Sequence, residues 1–428
     1  MNKTISHIVH LNVDSDPKFI SEEMLSEIEN LVINLDIVIK KKEIIKIKRI
    51  NPSTLIGEGN LVKIDSDIKR NNINLLVVNN NLTPAQQKNL ENRLKIKVTD
   101  RTGIILEVFA RRAKSNEGKM QVQLAELIYR KSRLVRAWTH LERQRGGTTF
   151  IGGPGELQIE LDRRLIQEKI LNIKKRLSKV KRRRHVQRNL RKNNNFKTAA
   201  LIGYTNAGKS TLFNAITNAH VFAADQLFAT LDPTMRRVSL HDLGSVIFAD
   251  TVGFISHLPH RLVDAFRATL EEASSADLLL HIIDASSEDR STNILRVNDV
   301  LKEINAFHLP TLLVYNKIDL MDGSSSRIER DSDGNPVAVW VSALTGEGLD
   351  LVRSALVEKL PNKLLHVHLK LTPSHGALRA TLYRHNAVIK EVIDNEGQIE
   401  IEIKLPESEL FRILKNSGLK FEDLVTIS

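Results

Sequence analysis

One stretch of eight residues has the composition and spacing of a phosphate-binding loop. The sequence GYTNAGKS, residues 203–210, matches the pattern G-x-x-x-x-G-K-[ST]. Gly203 and Gly208 permit a loop whose backbone N–H groups point inward at phosphate oxygens. Lys209 adds a positive charge at the β and γ phosphates, and Ser210 can ligate Mg²⁺. An apolar run, AALI, precedes the loop and a helical pattern, STLFNAI, follows it, so the stretch is predicted to bind a nucleoside triphosphate.

Three further motifs follow in the order that recognition of guanine nucleotides requires. DTVG, residues 250–253, places a carboxylate near metal-bound water and a glycine N–H near the γ-phosphate. NKID, residues 316–319, supplies Asp319, which can accept two N–H donors from guanine; adenine lacks that donor pair. SAL, residues 342–344, can offer a backbone N–H to guanine O6. Each motif alone is also typical of an ordinary turn at a strand end, but the four together predict GTP.

The segment between the first two motifs is predicted to be a switch that senses the γ-phosphate. Thr230 is expected to contact Mg²⁺ and the γ-phosphate, with Thr234 as the alternative. Phe254 follows Gly253 where some GTPases have a water-orienting glutamine, and its side chain cannot orient water by hydrogen bonding. Asn206 either holds a monovalent cation such as K⁺ near the phosphates or stabilises the loop. The predicted catalytic residues are Lys209, Thr230 and Gly253.

The predicted site combines these motifs. Its GTP contacts are Gly203, Tyr204, Thr205, Asn206, Ala207, Gly208, Lys209, Ser210, Thr211, Phe228, Ala229, Thr230, Asp250, Thr251, Val252, Gly253, Asn316, Lys317, Asp319, Ser342, Ala343 and Leu344. Its Mg²⁺ ligands are Ser210 and Thr230 directly and Asp250 through water.

The charge of the chain is concentrated in one segment. Residues 162–192 contain fourteen Lys or Arg and two acidic residues, an excess equal to the net charge of +12 of all 428 residues. Such a run is either a solvated helix face or a surface for a polyanion, meaning nucleic acid or an anionic membrane. The chain has no cysteine, which excludes disulfides and thiol chemistry. Without a signal-peptide pattern or an apolar run of about 18 residues, it is expected to be cytoplasmic.

The elements that must position these residues can be read from hydrophobic periodicity. Residues 1 to about 112 alternate apolar runs with helical patterns, as in a parallel α/β sheet. Two long helices follow and are expected to pack antiparallel. Their seam residues are Leu124, Leu127, Leu134, Trp138 and Leu141 on the first, and Ile166, Ile170, Ile173, Leu177 and Val180 on the second. The stretch between them, RQRGGTTFIGGPGE, has five glycines and is predicted to be a loop at the tip of this hairpin.

The fold class that follows is a multidomain α/β protein built around a P-loop GTPase domain. The predicted domains are an N-terminal parallel α/β domain (1–114), an antiparallel helical hairpin with its glycine-rich tip (115–196), the GTPase domain (197–362) and a small C-terminal α+β domain (363–428).

The chain resembles the HflX-type GTPases, ribosome-associated members of the translation-factor class. The resemblance covers about residues 50–350 and is carried by GYTNAGKSTLFN, DQLFATLDPT, DTVGFI, TPAQQKNLENRL, VTDRTGIILEVFARRA and the tip GGPGELQIELDRR. It implies binding to the large ribosomal subunit, hydrolysis of GTP stimulated by the ribosome, and dissociation of stalled or idle ribosomes, especially under stress. The expected rRNA contacts are Arg143, Arg145, Gly146, Gly147, Arg163, Arg164, Lys181, Arg182, Arg183 and Arg184.

The tip departs from the family pattern. Gly152 stands where an arginine is usual, and Leu157 and Leu161 stand where threonines are common. The resemblance further implies ATP binding by the N-terminal domain with RNA-unwinding activity, although its GEGN, residues 57–60, is not a P-loop.

Two other classes of function are the alternatives from the sequence. A tRNA-modifying GTPase of the MnmE type needs a C-terminal cysteine, which is absent here. A binder of RNA or a membrane surface, with GTP as a structural ligand only, is compatible with Phe254. Hydrolysis of GTP measured with and without ribosomes discriminates among them.

Overall fold

The computed structural model describes most of the chain, in two compact units. The described residues are 3–13, 18–47, 50–134, 154–193, 196–219, 228, 233–240, 244–254, 271–360, 364–394, 397–406 and single positions from 410 to 424. The first unit comprises Met1–Arg184, Phe222–Asp232 and Val252–Leu270, and the second comprises His185–Val221, Pro233–Thr251 and Glu271–Ser428.

The first unit contains a four-stranded parallel sheet in the order β2-β1-β3-β4. Its strands are β1 (Ile5–Val13), β2 (Val38–Ile47), β3 (Leu75–Val78) and β4 (Lys97–Asp100). Its helices are α1 (Lys18–Ile33), α2 (Glu58–Arg70), α3 (Pro84–Leu94) and α4 (Arg101–Arg112). This architecture confirms the predicted parallel α/β class.

Both faces of this sheet are buried. Along β3 the side chains of Leu75 and Val77 enter one apolar cluster and those of Leu76 and Val78 enter another, because successive residues of a strand point to opposite faces. Local signals set the helix starts. Thr83 and Gln86 form a reciprocal capping box before α3, with Pro84 at the first helical position.

Two long helices, α5 (Asn116–Leu134) and α6 (Pro154–Asn193), form the hairpin. The buried seam consists of Leu124, Leu127, Ile170 and Ile173, flanked by Met120, Ile128, Ile166 and Leu177, which confirms the predicted contact between the helices. The predicted seam residues Leu134 and Val180 are half-buried and do not belong to this cluster. Lys131 Nζ donates to Gln167 Oε1 and Glu117 pairs with Arg184, so the start of α5 lies beside a later part of α6 and the helices are antiparallel. Residues 135–153, with the predicted positions Trp138 and Leu141 and most of the tip, lie outside the described residues.

The second unit is built on a seven-stranded sheet in the order β10-β11-β9-β8-β5-β7-β6. The strands are β5 (Lys197–Gly203), β6 (Thr234–Leu240), β7 (Gly244–Asp250), β8 (Leu278–Asp284), β9 (Thr311–Asn316), β10 (Arg327–Arg330) and β11 (Pro336–Trp340). Only the edge strands β6 and β10 pair antiparallel within the described sheet. The helices are α7 (Lys209–Thr217), α8 (Arg290–Glu303) and α9 (Leu349–Lys359).

A separate three-stranded antiparallel sheet, in the order β12-β14-β13, follows. It consists of β12 (Leu364–Leu371), β13 (Val388–Ile393) and β14 (Ile399–Pro406), with α10 (Gly376–Arg384) between the first two. The order β-α-β-β agrees with the α+β class predicted for this part of the chain. The four domain boundaries stay a prediction. No helix of the described residues is both long and apolar enough to cross a membrane.

Candidate functional site

The predicted phosphate-binding loop joins the carboxyl end of β5 to the start of α7. Gly203 has φ +146°, and a Cβ there would lie 2.2 Å from the carbonyl oxygen of Ile282. Gly208 has φ +89°, and a Cβ there would lie 2.2 Å from the side-chain nitrogen of Asn316. Both positions therefore require glycine for two reasons, the left-handed backbone and the close approach of a neighbouring strand or side chain.

Lys209 is 6% exposed, and its ammonium group lies inside the loop. Its Nζ donates to the carbonyl oxygens of Gly203 at 3.1 Å and Tyr204 at 2.6 Å. Burial lowers the pKa of Lys209 to about 8, although the charge of Asp250 acts in the opposite direction. The positive charge predicted at the phosphates is thus already confined to the cradle.

Ser210 and Asp250 form the candidate Mg²⁺ site. The Ser210 hydroxyl donates to Asp250 Oδ2 at 2.8 Å, and Asp250 is fully buried at the end of β7. A hydroxyl and a carboxylate are the hard oxygen ligands that Mg²⁺ takes while keeping several waters, so the pair fits the metal. Thr251 fixes the strand ends by donating from Oγ1 to the Leu201 carbonyl at 2.6 Å.

Asn316 connects the phosphate end of the site to its base-binding end. Its side-chain nitrogen donates to the Ala207 carbonyl and its side-chain oxygen accepts from the Ala343 N–H, both at 2.9 Å. Because Ala207 lies in the phosphate-binding loop, Asn316 ends β9 and Ala343 follows β11, one buried amide holds the phosphate-binding loop, NKID and SAL together.

Asp319, the carboxylate predicted to read the base, is oriented by a hydroxyl. Ser342 Oγ donates a short hydrogen bond to Asp319 Oδ1. Lys317, the neighbour of Asn316, pairs with Asp284 at 2.7 Å. Neither interaction was predicted from the sequence. Asp284 could have been predicted as a site residue, because it ends the apolar strand β8 at the same carboxyl edge of the sheet as the predicted motifs.

Several predicted site residues are placed differently or lie outside the described residues. Ala229 and Thr230 are not described. Thr234, the alternative to Thr230, is the first residue of β6 and lies opposite Asp250 in the antiparallel pairing. The side chains of Phe228 and Val252 lie in an apolar cluster of the first unit, so a nucleotide contact from either residue would have to come from its backbone.

Some of the predicted rRNA contacts also lie outside the described residues, and the others lie on α6. Arg143, Arg145, Gly146 and Gly147 lie outside the described residues. The side chains of Arg163, Arg164, Lys181, Arg182 and Arg183 are exposed on α6. Arg184 differs because it pairs with Glu117 of α5 at 2.8 Å and is mostly buried, so it also contributes to the packing of the hairpin.

The sheet order, the cradle at the end of β5 and the Asn316–Asp319 base site define a P-loop GTPase. Three family models match the chain. They are GTP-binding GTPase N-terminal over residues 22–110, GTP-binding GTPase Middle Region over 112–191 and 50S ribosome-binding GTPase over 198–317. The GTPase HflX of Escherichia coli (strain K12) is 44% identical over 98% of this chain and 97% of its own length. The chain belongs to the GTPase HflX family and is a GTP hydrolase.

Other relatives are similar over most of their length. The GTPase HflX of Magnetococcus marinus is 46% identical over 92% of this chain and 90% of that protein. A solved structure of a GTP-binding protein from Sulfolobus solfataricus, in complex with GDP, is 23% identical and covers 83% of this chain and 98% of its own, with a TM-score of 0.43.

Proposed function

We propose that this GTPase binds the large ribosomal subunit through α6 and the hairpin tip, and uses GTP binding and hydrolysis to dissociate stalled or idle ribosomes under stress. The observation that carries the proposal is the distribution of charge on α6. This proposal also places the protein in the cytoplasm, where ribosomes are found.

Helix α6 is a basic helix with a buried apolar seam on one side. Ile170 and Ile173 are buried against α5, whereas its exposed basic side chains occupy the remaining directions around the axis. The exposed basic residues are Arg163, Arg164, Lys169, Lys174, Lys175, Arg176, Lys179, Lys181, Arg182 and Arg183. Since like charges this dense repel one another without a polyanion, the surface suits a partner with phosphates on more than one side, such as folded RNA.

The nucleotide site supports a controlled GTPase. Lys209 and the amides of the loop would bind the β and γ phosphates, and Asn316 with Asp319 would position the base. Ser210, and Asp250 through water, would hold Mg²⁺, which would neutralise phosphate charge. Phe254 is 6% exposed and cannot orient water by hydrogen bonding, so the intrinsic rate is expected to be low and to rise on the ribosome.

Two further predictions about ligands remain proposals. Asn206 has a left-handed φ of 64° in the loop, and we propose that its side-chain oxygen ligates K⁺ beside the phosphates. ATP binding by the N-terminal domain, with RNA unwinding, is the alternative function. Residues 57–60 there form the start of α2, with Gly57 as its N-cap. Isothermal titration of the Lys209→Ala variant with ATP tests for a site in the N-terminal domain. The substitution removes the positive charge from the phosphate-binding loop, so any remaining ATP binding would point to the N-terminal domain.

Sedimentation of purified ribosomes tests the proposed function directly. Ribosomes are incubated with the protein and GTP, GDP or a non-hydrolysable GTP analogue, and the subunit peaks are quantified. The expected result is conversion of whole ribosomes to free subunits with GTP or the analogue and little conversion with GDP. Binding of RNA with undiminished whole-ribosome peaks in all three nucleotides would instead favour a non-splitting RNA binder.

A further inference from the structure

The hairpin is attached to the N-terminal sheet by a buried polar cluster that the nucleotide chemistry does not use. Its centre is Asp100, the last residue of β4 and the N-cap of α4, which is 2% exposed. Capping requires only one bond, from the Gly103 N–H to Oδ1 at 2.9 Å. The carboxylate also accepts from the Leu82 N–H at 3.3 Å, and its remaining partners come from α5.

Tyr129 and Arg133, one helical turn apart on α5, complete the cluster. The Tyr129 hydroxyl donates to Asp100 Oδ1 and Arg133 Nη2 donates to Asp100 Oδ2, both at 2.7 Å. The Arg133 guanidinium also lies 4.1 Å from the centre of the Tyr129 ring. In the part of the chain that the structure describes, Arg133 makes no other hydrogen bond, and its Nε and Nη1 are buried. Within the described residues, the positive charge of Arg133 is therefore compensated by the Asp100 carboxylate.

The backbone of α4 is adapted to this contact. A Cβ on Gly103 would lie 2.4 Å from Thr99 Oγ1 and 3.2 Å from the Tyr129 hydroxyl. A larger residue at position 103 would therefore clash with the Thr99 side chain and crowd the Tyr129 hydroxyl. Burial and the charge of Asp100 raise the pKa of Tyr129 well above its ordinary value, so its hydroxyl stays a donor at physiological pH.

Among the described residues, α5 is attached to the N-terminal domain both by an apolar contact and by this polar cluster. In the apolar contact, Val122 and Ala125 pack in the cluster that contains Phe109 of α4. Val122 and Arg133 are about 16 Å apart along the helix axis, at about 1.5 Å per residue. A helix held at one place can pivot, whereas a helix held at two separated places has a fixed direction.

The direction of α5 determines where the far end of the hairpin lies. Lys131 bonds to Gln167 of α6, and Pro154 lies thirteen residues beyond Gln167. Pro154 is therefore about 35 Å from the apolar attachment, and a pivot of about 10° would displace it by about 6 Å. That displacement is twice the length of a hydrogen bond, so an unfixed hairpin could not deliver its tip to one position.

We propose that Asp100, Tyr129 and Arg133 form a joint that fixes the angle of the hairpin to the N-terminal sheet, and that dissociation of ribosomes, the function proposed above, requires this joint. The three are positioning residues, because none is expected to contact nucleotide or rRNA.

The angle can be measured without ribosomes. The chain contains no cysteine, so Lys40→Cys on β2 and Lys175→Cys on α6, both exposed in the structure, can carry two spin labels in the full-length protein. The expected result is a narrow distance distribution that broadens at least twofold with Tyr129→Phe or Arg133→Gln. Tyr129→Phe removes one hydroxyl and keeps the ring, so it tests the joint even if Asp100→Asn fails to fold. An unchanged width in both variants would overturn the joint.

The matched control is the neighbouring buried ion pair. Arg101 donates to Glu27 of α1 at 2.7 Å, with both side chains under 10% exposed, and this pair joins α4 to α1 within the N-terminal domain. Glu27→Gln should lower thermal stability and leave the label distances unchanged. Broadening by Glu27→Gln equal to that by Tyr129→Phe would mean that general loosening, and not the joint, controls the angle.

The dissociation assay then separates the joint from the proposed function. If the wild-type protein dissociates ribosomes, Tyr129→Phe and Arg133→Gln should slow dissociation at least fivefold at saturating protein, with unchanged intrinsic GTP hydrolysis and unchanged binding to the large subunit. Undiminished dissociation by both variants would reject the requirement for the joint. Failure of the wild-type protein to dissociate ribosomes would reject the proposed function, while the label distances would still decide whether the joint exists.

Discussion

Lys209 is a charged residue in an environment that disfavours its charged form. Its ammonium group is buried among loop carbonyls, and burial lowers its pKa to about 8. Triphosphate oxygens would supply the negative charge that favours the protonated form. The affinity for GTP and the protonation of Lys209 are therefore linked.

We predict that GTP binding takes up a proton at alkaline pH. At pH 8 about half of the free protein has a neutral Lys209, so binding should take up about half a proton; at pH 7 the uptake should be about a tenth. The sign follows from a pKa that rises on binding, and affinity should fall as pH increases above 8. Calorimetry in buffers of different ionisation enthalpy measures this uptake. Identical heats in all buffers at pH 8 would contradict it.

Asp319 provides a second residue-scale prediction, on the choice of base. Asp319→Asn should reduce affinity for GTP by about 100-fold, or about 3 kcal/mol, and raise affinity for xanthosine triphosphate. Guanine presents an N–H donor where xanthine presents a carbonyl acceptor, and the amide supplies a donor. Competitive binding of the two nucleotides checks the exchange.

Ser342 makes the Asp319 prediction sharper. Its hydroxyl donates to Asp319 Oδ1, and in the asparagine variant the same bond would hold the amide oxygen and turn the NH₂ group toward the base. Adding Ser342→Ala to Asp319→Asn should therefore weaken the preference for xanthine. GTP preference retained in Asp319→Asn alone would mean that NKID does not read the base.

At the scale of elements, the prediction from sequence was strongest where a pattern is local. The strand–loop–helix at residues 197–217, the seam of the hairpin and the alternation of strands and helices each follow from periodicity or from a motif contained in one segment. They depend on neighbours along the chain, and the structure confirms them.

Interactions between distant segments could not be read in the same way. The Ser342–Asp319 and Asp284–Lys317 contacts depend on which strand ends lie side by side, and sheet order is a tertiary property. Phe228 is the clearest case. Its ring meets Phe109 edge-to-face at 4.5 Å within the first unit, although its sequence context indicated a segment devoted to the nucleotide.

Helix α6 gives a prediction about salt. If Lys181, Arg182 and Arg183 each neutralise one phosphate, replacing all three with glutamine should reduce the slope of log affinity against log salt by about three units for the large ribosomal subunit. GTP affinity should not change. Filter binding over a range of KCl concentrations measures the slope.

Arg184 supplies the control for the salt experiment. It is next to the three exposed residues in sequence, but it pairs with Glu117 of α5. Arg184→Gln should lower the thermal stability of the hairpin and change the salt slope less than any single replacement among its three neighbours. Equal effects at all four positions would indicate that the slope reports total charge and not specific phosphate contacts.

At the scale of the whole molecule, binding and dissociation of ribosomes make different demands on the chain. The proposed phosphate contacts of α6 would position the protein on RNA but would not by themselves displace anything. Displacing one ribosomal subunit requires a part of the protein to occupy space that the other subunit needs, and to bind the separated state better than the joined one. We propose the glycine-rich tip for that purpose, although most of it lies outside the described residues.

We therefore predict that replacing residues 146–155 with a short Ser/Gly connector abolishes dissociation and leaves intrinsic GTP hydrolysis and most of the salt-dependent binding intact. The reason is that the exposed charge of α6 and the nucleotide site of the second unit both remain. Sedimentation of ribosomes with GTP and the variant measures dissociation, and filter binding measures what is retained. Dissociation at the wild-type rate would reduce the tip to a connector, and the displacing surface would then have to be sought in the N-terminal domain or the GTPase domain.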